Sequence, residues 1–87
     1  MGKYIVHCNT YNKAKILCGM CGGFRIDLWA RYGSKTCYRV YDYLIQGWDN
    51  LDSYKDFINR DKYRGYVIVT FEEFMERENL TNEMVVD

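Results

Sequence analysis

At 87 residues the chain is long enough for one domain with one core, and too short to spare volume for a deep cleft lined by several catalytic groups. Its 48 % hydrophobic and 28 % charged residues exclude a disordered chain, and no apolar run approaches the ~18 residues that a membrane span requires. The zero net charge hides a division: residues 1–41 carry seven Lys and Arg against the single acid Asp27, whereas residues 42–87 carry five against eleven acids.

Residues 3–8, KYIVHC, form a short β-rich run, and the Asn9-Thr10 pair supplies an N-cap for the helix that follows. From Tyr11 the apolar positions Ala14, Leu17, Cys18 and Cys21 recur at i, i+3, i+4 and i+7, the stripe of an amphipathic helix, and Gly22 and Gly23 are expected to end it in left-handed conformations. RIDLWARYG (25–33) reads as a second strand with Ile26, Leu28 and Ala30 on one face, turning at Gly33-Ser34. KTCYRVYDYLI (35–45) reads as one long third strand, with Cys37, Arg39, Tyr41 and Tyr43 facing one way and Tyr38, Val40, Asp42 and Leu44 the other.

QGWDNLDS (46–53) is expected as a loop, with Asp52 or Ser53 capping a helix that runs to Tyr63, is anchored by Phe57 and Ile58, and ends at Gly65. YVIVTF (66–71) is a continuous apolar run suited to the middle of a sheet. Thr70 and Glu73 match the S/T-x-x-E capping box, so residues 71–79 form a short acidic helix anchored by Phe71, Phe74 and Met75. LTNEMVVD (80–87) reads as a last edge strand or a tail. The order is β-α-β-β-α-β plus a final helix, all in a single domain spanning 1–87. It suits an α+β fold: a split β-α-β, ferredoxin-like sandwich, its antiparallel sheet covered on one face by two helices.

The one short motif with chemical promise is Cys18-x-x-Cys21. A zinc site is expected to draw on two local pairs of ligands, and only one is present; His7, Cys8 and Cys37 are the other candidates. A thioredoxin-like thiolate needs its first Cys at a helix N-terminus, whereas Cys18 stands near the C-terminal end, where the dipole raises the thiol pKa. Both thiols lie on the stripe that the helix buries and are expected as reduced core residues. His7 and Cys8 are adjacent on a strand and point to opposite faces, which leaves His7 with Cys37 as the remaining nucleophile pair. The expectation is a protein without catalytic residues, metal or cofactor.

Two surfaces compete as binding sites. The first joins Tyr41, Tyr43 and Trp48 to the acids Asp49, Asp52 and Asp56 at one helix start and Glu72, Glu73 and Glu76 at another, with aromatic anchors and a charged rim for a basic protein partner. The second is a stacking platform of Arg39, Tyr41 and Tyr43 for nucleic acid or a nucleotide, although YRVYDY lacks the Gly and Phe spacing of the RNA-recognition strand motif.

In their order, YIVHC (4–8), TCY (36–38) and GYVIVTFEEF (65–74) resemble small proteins encoded by phages and prophages of Gram-positive bacteria. What the resemblance implies is an inhibitor that binds a host protein stoichiometrically, in the manner of anti-CRISPR and other anti-defence proteins. Its partner would be a CRISPR effector or another nucleic-acid-binding protein, in the cytoplasm of a bacterial host and away from the membrane, with a homo-oligomer also open. The absence of a signal h-region in MGKYIVHC agrees with that compartment.

Overall fold

The apolar run after Lys3 becomes the strand on which the sheet is built. In the computed structural model, which describes residues 2–22 and 26–80, β1 (Lys3–His7) pairs antiparallel with β2 (Thr36–Tyr41) and parallel with β4 (Tyr66–Thr70), while β3 (Leu44–Asn50) pairs antiparallel with β2. The fold is α+β, with a mixed four-stranded sheet in the order β3-β2-β1-β4. It departs from the expected antiparallel sandwich because β1 and β2 are direct neighbours, with no strand inserted between them. β3 then runs the same way as β1, and the chain must return along α2 (Leu51–Phe57) before β4, which forces the parallel pairing.

Helices cover both faces, where the sequence pointed to one. On the first face Tyr4, Val6, Cys8, Tyr38, Val40, Ile45 and Val69 meet α1 (Tyr11–Met20) through Ala14, Leu17 and Cys21, and α3 (Phe71–Arg77) through Phe71, Phe74 and Met75. On the second, Ile5 and Cys37 lie under Tyr54 of α2, flanked by Leu51, Ile58, Tyr63, Tyr66 and Ile68. Three consecutive β1 residues, Tyr4, Ile5 and Val6, are buried, as a strand with two covered faces requires. Each fully buried Phe or Leu here contributes on the order of 2–3 kcal/mol by leaving water.

Four local expectations are corrected. The segment read as a second strand is a 3-10 helix, Ile26–Arg31; Trp29 donates its indole N–H to the Cys8 carbonyl at 3.2 Å, a tertiary anchor with no sequence signature. The long third strand is a hairpin that turns at Asp42 and Tyr43, both left-handed at φ 53° and 60°, so QGWDN is the body of β3 and not a loop. Asn50, not Asp52 or Ser53, caps α2 by accepting from Ser53 N, and the helix stops at Phe57, with a separate 3-10 turn at Asp61–Tyr63. At the end of α1, Cys21 takes an extended conformation and donates its N–H to Leu17 O, without a left-handed Gly22.

The N-cap at Thr10 and the capping box of Thr70 with Glu73 form as read. The final strand or tail and the Gly23 cap lie outside the described residues, apart from Leu80.

Candidate functional site

Strand register assembles a row of side chains on the second sheet face, at the end that α2 leaves uncovered. Lys3 is the register partner of both Tyr41 on β2 and Tyr66 on β4, and Tyr41 is in turn opposite Leu44 on β3. The Lys3 ammonium lies 5.4 Å from the Tyr41 ring centre and 5.7 Å from that of Tyr66. One step along β2, the Arg39 guanidinium lies 5.5 Å from the Tyr63 ring and 5.8 Å from Tyr66, and donates to the Gln46 carbonyl at 3.2 Å. Tyr63 and Tyr66 meet edge to face at 6.4 Å, and the Lys62 ammonium lies 5.6 Å from Tyr63. Each such cation–ring contact is worth about 0.5–1 kcal/mol where exposed.

Two glycines make room for these cations. Gly47 stands opposite Arg39, and a Cβ there would come within 3.2 Å of the guanidinium. Gly65 turns the chain into β4 at φ 86°, and a Cβ on it would lie 3.4 Å from the Lys3 stem. Tyr41 and Leu44 are 46 % and 53 % exposed, so the row ends in accessible apolar surface rather than in core. Rings alternating with cations on an open sheet present stacking faces and positive charge together.

The residues read from sequence separate into four places. Arg39 and Tyr41 belong to this face. Tyr43 does not, because the left-handed turn carries it to the other side, where its hydroxyl donates to Glu78 at 3.0 Å beside Tyr4, which donates to the same carboxylate at 2.7 Å. The same turn puts Leu44 on the face of Tyr41, whereas an unbroken strand would have opposed them. Trp48 is opposite Tyr38 and packs on the first core, 5.0 Å from Tyr32 and with Arg31 at 5.8 Å from its ring.

Asp49 lies near the end of β3, Asp52 in the first turn of α2 and Asp56 in its last, so these three do not gather at one helix start as read; Glu72, Glu73 and Glu76 sit on α3, against the opposite face of the sheet. Asp52 is exposed and bonded to Lys35 at 2.8 Å, which holds its carboxyl below the ordinary range. Asp49 accepts from Asn50 N at 2.7 Å, Glu72 pairs with Lys13 at 3.2 Å, and Glu73 closes the Thr70 capping box. Asp56 and Glu76 are exposed.

The cysteines are free thiols in protonating surroundings. Burial, reinforced by Asp49, pushes the Cys37 thiol up to about 12, and burial pushes Cys21 up to about 11 and Cys8 well above its ordinary value. His7 is the register partner of Cys37, but its Nε2 donates to the Ser34 carbonyl at 2.7 Å. Cys18 is half-buried, and burial raises its thiol pKa as well. Among the described residues no three His, Cys, Asp or Glu side chains gather as a metal site would need, and no helix is long and apolar enough to cross a membrane.

Sequence reasoning missed Lys3, Tyr63, Tyr66 and Gly47. Only the parallel β1–β4 register brings Tyr66 beside Lys3. Compared with protein-family models, with curated proteins and with solved structures, the chain matches none. What the fold and site define is therefore a class: a small α+β domain with one open, cationic and aromatic end of its sheet.

Proposed function

We propose that the chain is a binding protein without catalytic chemistry of its own, and that the Tyr41–Lys3–Tyr66 row holds the unpaired bases and backbone of a short single-stranded nucleic acid. The observation that carries this reading is that row, three register partners on adjacent strands with Arg39 behind them. Base–aromatic stacking supplies about 1–3 kcal/mol per base, and neighbouring ammonium and guanidinium groups meet the phosphates. Lys62 and Arg64 continue the positive charge at the turn into β4. The raised thiol pKa values of Cys8, Cys21 and Cys37 favour inert packing over nucleophilic chemistry.

The inhibitor reading, in which a host protein such as a CRISPR effector docks on the acids, asks for one continuous acidic surface. The placement of Asp49 on β3 with Asp52 and Asp56 on α2, and of the other trio on α3 against the opposite sheet face, favours it less. Fluorescence anisotropy with labelled single-stranded DNA and RNA oligonucleotides tests the choice. Binding should weaken at least about tenfold in Tyr41→Ala or Tyr66→Ala, and Lys3→Ala should flatten the salt dependence by about 0.7 in log–log slope. Equal binding by wild type and all three variants, or no binding at low salt, removes the nucleic-acid reading. Capture of a host nucleic-acid-binding protein that is lost on reversing Asp49, Asp52 and Asp56 would replace it with the inhibitor.

A further inference from the structure

The two edges of the sheet are unequally guarded. β3 carries a register shift against β2 between Arg39 and Val40, and a bulge of this kind twists an edge away from further pairing. β4 has no such device: YVIVT contains no charge and no proline, and its ladder to β1 is unbroken from Lys3↔Tyr66 to His7↔Thr70. Among the described residues no strand pairs with its outer side, and Val67 is 38 % exposed. An unprotected strand of β-branched residues is a template for another strand.

We propose that the occupant is a second copy of this chain, β4 pairing with β4 antiparallel about Ile68 to give a two-fold dimer whose two sheets are continuous. In that register Tyr66 meets Thr70, Val67 meets Val69 and Ile68 meets its own copy, aromatic and β-branched pairs that favour a ladder. Charge then selects the antiparallel arrangement. The segment before each strand, with Lys62 and Arg64, comes beside the helix start that follows the partner strand, with Glu72 and Glu73. Parallel pairing would instead set Arg64 against Arg64 and Glu72 against Glu72. The Arg64 side chain is 82 % exposed in its contact with Asp61, and the Glu72 side chain 49 % exposed in its contact with Lys13, so both can reach across an edge. Two-fold closure uses up each β4 edge and ends the assembly at two chains, where an open edge would invite fibres.

The test is the mass in solution of the full chain, measured by sedimentation or light scattering over a concentration series, with far-UV circular dichroism confirming that each variant folds. The wild type should be a dimer. Arg64→Glu places acid against acid at both ends of the shared ladder, and Glu72→Arg places base against base, so each alone should dimerise at least tenfold more weakly. An equimolar mixture of the two restores both opposite-charge pairs and should form a dimer containing one chain of each, with an affinity near that of the wild type. A wild-type chain that stays monomeric at millimolar concentration, including one whose edge is taken by a different protein, overturns the proposal. So does a mixture that dimerises no better than its components. The readout is mass and not oligonucleotide binding, so failure here is distinct from failure of the nucleic-acid reading.

Discussion

Gly47 faces Arg39 across the β2–β3 ladder, and the absence of a Cβ there lets the guanidinium lie over β3, donate to Gln46 O and reach the rings of Tyr63 and Tyr66. Gly47→Ala puts a methyl group 3.2 Å from the end of a flexible side chain, which can swing away at little cost. Replacing a strand glycine also removes freedom from the unfolded chain, worth about 0.4–1 kcal/mol in favour of the fold. The expected result is a Tm within about 5 °C of wild type, with oligonucleotide affinity lowered several-fold. A variant with unchanged affinity would show that Arg39 has no part in binding.

Glu78 receives both the Tyr4 and the Tyr43 hydroxyls and so ties the start of β1 and the hairpin turn to the end of α3. The bond to Glu78 is the first cause of the raised pKa of each phenol. Glu78→Gln should lower stability by about 1–3 kcal/mol, since bonds to a charged acceptor are the stronger kind, as read by urea denaturation. Tyr43→Phe should cost less, because Tyr4 keeps its partner.

The pH dependence follows from the same groups and from the thiols. A phenol or thiol whose folded pKa is raised keeps its proton in the fold after the unfolded chain has begun to lose it, so the unfolded state binds fewer protons and stability falls as pH rises. With Cys21 near 11 and Cys37 near 12, against an ordinary thiol value of 9.0, loss should begin above about pH 9 and continue to about pH 12. The raised phenols of Tyr4 and Tyr43 steepen it above 10. Denaturation midpoints measured from pH 7 to 11 check this; a flat profile would mean that these thiols titrate as exposed groups.

Cys18 and Cys21 should behave as packing residues. Converting both to Ala should cost about 1–2 kcal/mol in lost burial, as read by chemical denaturation. A loss well above this would mean that the two thiols do more than fill volume.

Trp48 packs at a tilt on Tyr32 and beside Arg31 against the first core, on the face away from Lys3 and Arg39. Trp48→Ala should therefore lower stability by about 2–4 kcal/mol and leave oligonucleotide affinity unchanged in the folded fraction, measured by anisotropy below the denaturation midpoint. Loss of affinity without loss of stability would return Trp48 to a binding surface.

Features whose causes lie within a few residues were legible in the chain. The Thr10 cap, the Ala14, Leu17 and Cys21 positions of the helical stripe, the Thr70–Glu73 box and the apolar run at 4–6 each express a local rule of hydrogen bonding or periodicity and form as read, with Cys18 only half-buried; the run at 66–70 forms a strand, but at the edge of the sheet and not in its middle. The hairpin was hidden because its turn lacks the usual Asn-Gly: Tyr43 occupies a left-handed position, and its hydroxyl is bonded to Glu78, 35 residues away. The 3-10 helix at Ile26–Arg31 was hidden for a similar reason, its Trp29 being bonded back to Cys8.

By itself, then, the sequence determined an α+β chain, the core stripes, two of the helix caps, the burial of Cys21 and the placing of Arg39 and Tyr41 on one face of their strand. The tertiary structure alone decided that helices cover both sheet faces, that the acids divide between the β3–α2 segment and α3, and that Lys3 stands between Tyr41 and Tyr66. The physical reason is that strand neighbours are chosen by the path of the chain. Periodicity states which way a side chain points on its own strand, but the parallel pairing of β1 with β4 depends on the return through α2, and it is this pairing that gathers residues 3, 39, 41, 63 and 66 onto one face.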